Sequence, residues 1–181
     1  FGQPGSQFYQ SIKTDIILPP AAGKNVIRLF STSTGPVAVT VNGVFRFRND
    51  KWSGNTGYGK LLMAGADKQN NLWLVSEKQI QSENGKIIPL PAGLQDSVLC
   101  LYWENAQTLH LGALTGMYTW TGKWSRLPQF EGICVNDIIA DAGQNLWVST
   151  NDGLWRRSGK QWINLDETLM AQGNHRNYFR S

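Results

Sequence analysis

Val135-Asn136-Asp137-Ile138-Ile139-Ala140 is followed by a turn, Asp141-Ala142-Gly143-Gln144-Asn145, and then by Leu146-Trp147-Val148-Ser149-Thr150. Asn151-Asp152 leads into Gly153-Leu154-Trp155-Arg156, and Ser158-Gly159-Lys160 into Trp162-Ile163-Asn164-Leu165. Each apolar run is four to six residues long, rich in Val, Ile and Trp, and bounded by Gly, Asn, Asp or Ser. Such runs are too short for helices, and their punctuation is that of strands joined by tight turns. Residues 135–165 therefore read as one small antiparallel sheet of four strands.

The same scheme recurs upstream. Val37-Ala38-Val39-Thr40-Val41, Leu72-Trp73-Leu74-Val75-Ser76 and Leu109-His110-Leu111-Gly112-Ala113 stand where Leu146–Thr150 stands, their starts 35, 37 and 37 residues apart. A fixed interval in this range belongs to propellers and solenoids. The third unit adds Gly116-Met117-Tyr118-Thr119-Trp120 and Trp124-Ser125-Arg126-Leu127; the first adds Gly43-Val44-Phe45-Arg46-Phe47 and Lys51-Trp52. The second diverges most, with Gln79 in the glycine position and Ile88 in place of the late tryptophan. The expectation is an all-β fold of four four-stranded antiparallel β-propeller blades, at about 26–54, 61–91, 98–129 and 135–165, within one domain over 1–181. A helical repeat lacks its 3.6-residue period here, and a sandwich does not explain a fixed interval. The glycine after strand two is expected at positive φ. Ser11 to Pro19 aligns with a late strand and turn, so 8–18 is expected to act as a closing strand that removes an open sheet edge. Four blades are few for a closed ring, and the chain starts at Phe1, so it reads as part of a larger or incomplete propeller.

Hydrophobic residues make up 41% of the 181 and charged ones 17%, enough apolar material for a core, with eight tryptophans to fill wide gaps between sheets. The net charge of +4 is scattered, with no basic run longer than Arg156-Arg157, which argues against nucleic acid and leaves room for an acidic ligand. No apolar run is long enough to insert in a membrane. Cys100 and Cys134 lack metal-type spacing, and their expected separation exceeds disulfide reach, so both read as buried free thiols.

The run from Val135 through Asn145-Leu146-Trp147-Val148-Ser149-Thr150 to Gly153-Leu154-Trp155 resembles the two-component regulator propeller repeat. The first and third units resemble it in outline, and the second in its first half, Asp67-Lys68-Gln69-Asn70-Asn71-Leu72-Trp73-Leu74. This resemblance implies a periplasmic or extracellular sensing part, of the kind that detects ligands, often glycans, for hybrid histidine kinases. Asn71 to Ser76 and Gly85-Lys86-Ile87-Ile88-Pro89-Leu90-Pro91 also look like one blade of the virginiamycin B lyase-like propellers, a family with metal-dependent members.

Side chains with chemistry are sparse. His110 holds the tryptophan position of its strand two and is expected to be packed or hydrogen-bonded; His175 lies in a polar tail. Asp67 and Asp141 precede turns and are expected to cap them. Asp137 sits in an innermost strand, with Cys100, Met63 and Ile27 as its counterparts, so no ring of acids forms. No catalytic residue, metal or cofactor is assigned. The turns between strands two and three should share one rim with the links between blades, which nominates Asn42, Glu77, Lys78, Thr115, Phe130, Asp137, Asn151 and Asp152 as ligand-binding residues, with Phe130 stacking on a sugar face. The functional expectation is a non-catalytic binding or sensing propeller for a small molecule or glycan. The alternatives are a fragment of a lyase or hydrolase propeller, and an assembly scaffold that binds a second copy or further blades.

Overall fold

In a computed structural model, the described residues are 17–94 and 97–166. Residues 8–16 of the expected closing strand, and His175, lie outside them. Two compact units make up the chain, Phe1–Leu61 and Leu62–Ser181.

The first unit contains one sheet: β1 (Val26–Thr32), β2 (Gly35–Thr40), β3 (Gly43–Arg48) and β4 (Lys51–Asn55). The strands pair antiparallel in chain order. Val37, Ala38, Val39, Val44 and Phe45 are buried, and Phe47 meets Trp52 across the outer hairpin with ring centroids 5.2 Å apart.

The second unit stacks three sheets of the same plan. The first comprises β5 (Leu61–Ala66), β6 (Leu72–Ser76), β7 (Gln79–Ser82) and β8 (Ile87–Pro89). The next comprises β9 (Val98–Asn105), β10 (Thr108–Ala113), β11 (Gly116–Trp120) and β12 (Trp124–Arg126). The last comprises β13 (Val135–Ala140), β14 (Leu146–Thr150), β15 (Gly153–Ser158) and β16 (Gln161–Asn164). In each, strands follow chain order from inner to outer. Among the described residues no helix is long and apolar enough to cross a membrane.

Large flat side chains hold these sheets together. Trp73, Val75, Ile80 and Ile88 of the second blade pack against Leu101, Trp103, Leu109 and Leu111 of the third. The Trp73 and Trp103 centroids are 4.5 Å apart, and the Trp124 indole N–H donates to Pro89 O at 2.7 Å. Between the third and fourth blades, Cys100, Met117 and Phe130 meet Val135, Ile138 and Val148, with Trp155 and Trp162 at the margin. A buried aromatic removes about 150–250 Å² from water, several kcal/mol at about 25 cal/mol per Å². Stacking therefore supplies what one small sheet cannot.

The expected positive φ after strand two occurs at Gly116 (154°) and Gly153 (96°). Gly43 is constrained differently, because a Cβ there would run into the carbonyl of Asn55. Neither Cys100 nor Cys134 is in a disulfide, but only Cys100 is buried; Cys134 is half-buried, which corrects the expectation for that thiol.

Close packing makes Gly112 the sharpest test of blade stacking. A Cβ there would collide with Cys100 Sγ and lie 2.7 Å from Val135 Cγ1. At Gly159 (φ 61°) there is nothing within 4 Å. In urea unfolding, Gly112→Ala is expected to cost about 1–3 kcal/mol through overpacking. Gly159→Asn, at an exposed left-handed position that Asn tolerates, should stay within about 0.5 kcal/mol.

Candidate functional site

Three blades share a partly buried acid-to-ring contact at one spacing. Asp67 Oδ1 accepts the backbone N–H of Gln69 and Asn71, while Oδ2 accepts Asn71 Nδ2 and, at 3.1 Å, the indole N–H of Trp73. Asp141 treats Asn145 and Trp147 likewise, with the indole at 3.0 Å. These hydrogen bonds hold the Asp141 carboxyl down at about 2 and also lower that of Asp67 against its burial. Both aspartates cap their turns, as the sequence suggested, and Asn70 and Gln144 take φ 62° to close them.

In the third blade the same six-residue interval joins Glu104 to His110, with Nε2 to Oε2 at 2.7 Å. Nδ1 lies 2.9 Å from Thr119 Oγ1. An ionised Glu104 only accepts, so Nε2 carries the proton and Nδ1 accepts the threonine hydroxyl. Arg157 of the fourth blade donates to both oxygens of Glu104. The order acid, imidazole, hydroxyl is that of an activated nucleophile. Here, however, the ring is only 3% exposed, and the chain of bonds fastens two blades. Arg157 and His110 draw the Glu104 carboxyl down to about 2 despite its partial burial, while burial lowers the His110 pKa.

In each unit the turns between strands two and three are held by hydrogen bonds to their own backbone. Thr40 Oγ1 accepts Asn42 N–H at 3.2 Å and donates to Gly43 O. Thr150 does the same for Asp152 and Gly153, and Ser76 Oγ donates to Gln79 O. In the third blade, which has Ala113 at this place, Thr115 O instead accepts Arg126 Nη2 at 2.8 Å and Gly132 N–H at 3.0 Å. Arg126 also pairs with Glu131. These hydroxyls escaped the sequence reading, although Thr40, Ser76 and Thr150 all stand three residues before the start of strand three.

The nominated residues fall into distinct places. Asn151 Oδ1 accepts Cys134 N–H at 2.9 Å, and its own N–H donates to Cys134 O, tying that turn to its link. Asp152 O accepts Asn164 Nδ2, and Lys78 O accepts Leu90 N–H. Asn42, Lys78, Thr115 and Asp152 are exposed, and Glu77 is half-buried. Asp137 is exposed beside a bulge, where its Oδ1 accepts Ile138 N–H. Its pairing with Ser149 matches Cys100 with Gly112 and Arg28 with Val39, so its first-blade counterpart is Arg28 rather than Ile27. The bulged residue shifts the count by one. Phe130 is corrected outright. It is fully buried, its ring 5.1 Å from Trp155 and 5.0 Å from Trp162, because the 3-10 turn Pro128–Phe130 dips into the core. It is unavailable to a sugar.

In the first unit, Asn42 lines an open groove of about 590 Å³ together with Ala21, Val41, Thr56, Gly59 and Lys60. Asn42 Nδ2 donates to Ala21 O at 3.2 Å.

No family model matches the sequence, and no curated protein matches it. Solved structures do match. YCF48 from Cyanidioschyzon merolae is 13% identical at a TM-score of 0.56, over 78% of this chain and 51% of its own. Virginiamycin B lyase from Staphylococcus aureus is 17% identical at 0.57, over 81% of this chain and 56% of its own. The extracellular domain of a putative hybrid two component system from B. thetaiotaomicron is 17% identical at 0.59, over 82% of this chain and 22% of its own. The chain is built of β-propeller blades. It spans about half or less of the neighbouring chains, and at these identities the likeness shows the fold alone.

The buried joint between the third and fourth propeller blades predicts acid sensitivity. His110 is held neutral below its usual 6.5, so the unfolded chain takes up its proton first and stability falls as pH drops below about 6.5. Glu104 adds a further loss from about 4.5 toward about 2. Melting temperature against pH should show both phases, and His110→Trp, which restores the ring of the neighbouring blades, should remove the upper one. A wild-type profile flat between pH 7 and 5 would contradict the assignment.

Proposed function

We propose that this chain is a non-catalytic recognition propeller that binds a hydroxyl-rich ligand, a glycan, through its turns between strands two and three, and that it serves as a sensing part outside the cytoplasm. The observation that carries the reading is the construction of those turns. Thr40, Ser76 and Thr150 hold the backbone of three turns from within. Polar side chains at the tips, such as Asn42, Lys78 and Asp152, are thereby displayed on fixed backbone. Fixed polar groups lower the ordering cost of binding and suit ligands read through many hydroxyls. The buried His110 acts as a fastener between blades, which favours binding over turnover. The repeat's resemblance to two-component regulator blades, and the extracellular sensor domains among its structural neighbours, agree with a sensing role. One neighbour, YCF48, is seen bound to a peptide, so a peptide ligand is the comparison to include.

The test is a panel of immobilised glycans and peptides probed with the intact chain, followed by calorimetry on each hit. Glycan binding weakened about 10-fold or more by Asn42→Ala or Asp152→Ala, with melting temperature preserved, is expected. Release of a cleaved or eliminated product from any panel member would establish the lyase or hydrolase reading instead. Binding confined to peptides would overturn the glycan assignment.

A further inference from the structure

The fourth blade has one covered face and one bare face. Val135, Ile138 and Val148 face the third blade. Strand register sets out the opposite face, because paired residues of an antiparallel sheet point the same way. Ile139 pairs with Trp147, Trp147 with Arg156 and Arg156 with Ile163, so these four form one row across the blade. Asp137, Ser149 and Leu154 form the next row. Ile139, Leu154 and Ile163 are 55%, 39% and 38% exposed. Three apolar side chains left in water on one sheet face make a patch, which marks an interaction surface more often than scattered exposure does. Trp147 lies among them, and its indole N–H is engaged by Asp141, so the surface it offers outward is apolar.

The matching face of the second blade lies under the third, where Trp73, Val75, Ile80 and Ile88 are buried and Met63 packs beside them. Two repeats further on, Asp137 stands in place of Met63, Ser149 of Val75 and Arg156 of Ser82. A covering sheet like the third blade, which presents Leu101, Leu109 and Leu111, would bury that acid and that arginine without partners. The two charges are instead placed to answer each other across a symmetric contact. Asp137 is on the innermost strand, and Arg156 is two strands outward and one row along. The Arg156 guanidinium is held 5.3 Å over the Trp147 ring, and its Nε has no acceptor among the described residues. When two such faces meet, a two-fold axis in the plane of contact that bisects the line from Asp137 to Arg156 sets each arginine over the other copy's aspartate. The same axis brings the Ile139 and Trp147 side chains of the two copies together.

We propose that this face of the fourth blade docks against the same face of a second copy of the chain, with Ile139 and Trp147 at the centre and two Asp137–Arg156 ion pairs beside them. An isologous contact uses every feature twice, so one arrangement covers both apolar patches and pairs both charges. Four strands about 4.8 Å apart make a narrow face, and the pairing is therefore reversible, with a midpoint on the order of tens of micromolar. Ion pairs at the margin of such a contact are screened by salt, which separates this pairing from purely apolar association.

Sedimentation equilibrium of the intact chain, from about 2 to about 300 µM and at about 50 and about 500 mM NaCl, reads the pairing. A monomer–dimer equilibrium that weakens at the higher salt is expected. Asp137→Arg and Arg156→Asp should each weaken it about 10-fold or more, and the double variant, with the charges exchanged, should return to within about 3-fold of the wild type. Ile139→Ser should weaken it about 3- to 10-fold with melting temperature preserved. A chain that stays monomeric throughout, whether or not residues 167–181 occupy the face, overturns the proposal. A dimer indifferent to Ile139→Ser and to both single charge variants overturns its location. Association that continues past the dimer, or a loss that the exchanged charges do not restore, overturns the two-fold pairing. Should a charge variant fail to fold, the wild-type salt dependence together with Ile139→Ser decides.

Discussion

A carboxylate that receives a ring N–H six residues further along the chain is the contact on which the second unit turns. Asp67 with Trp73 and Asp141 with Trp147 each close the first turn of a blade and anchor the ring that leaves it. Without an acceptor, an indole N–H among apolar side chains loses about 1–3 kcal/mol of solvation, and Trp103 and Trp155 bury theirs unpartnered. Blades that anchor the ring this way can use it as the wedge between sheets, as Trp73 does against Trp103.

The third blade shows how the contact tolerates change. Glu104 and His110 replace aspartate and tryptophan together and keep the spacing. The longer acid reaches past the ring to Arg157 of the next blade, adding an ion pair to a joint that has lost an indole. One consequence is that this joint, unlike its neighbour, contains a histidine whose pKa is lowered by burial.

Much of the fold was legible because strand period, turn residues and the repeat interval are local properties. The four sheets, the capping role of Asp67 and Asp141 and the packed state of His110 all follow from residues within a few positions of each other. What was missed depends on geometry across strands. Phe130 looked like a rim aromatic because it lies in a link, yet a proline-started turn sends it inward. The counterpart of Asp137 was displaced by a bulge that no residue type announces. Glu104 holds the repeat's aspartate position, 37 residues after Asp67, but its tie to Arg157, 53 residues away, has no local signature. The groove beside Asn42 arises where a turn, an inter-blade link and the segment before β1 converge.

The polar chemistry is divided, with Asp67, Glu104, His110 and Asp141 tying rings and blades together and Asn42, Lys78 and Asp152 displayed at turn tips. That division rests on the ring anchors holding each turn in place. Hydrogen exchange of the indole N–H groups, followed by NMR of tryptophan-labelled protein with and without Asp67→Ala, tests it most directly. Slow exchange at Trp73 and Trp147 in the wild type is expected, with Trp73 alone released in the variant. Exchange at the free-indole rate in the wild type, or a Trp73 indifferent to the loss of Asp67, would contradict the account.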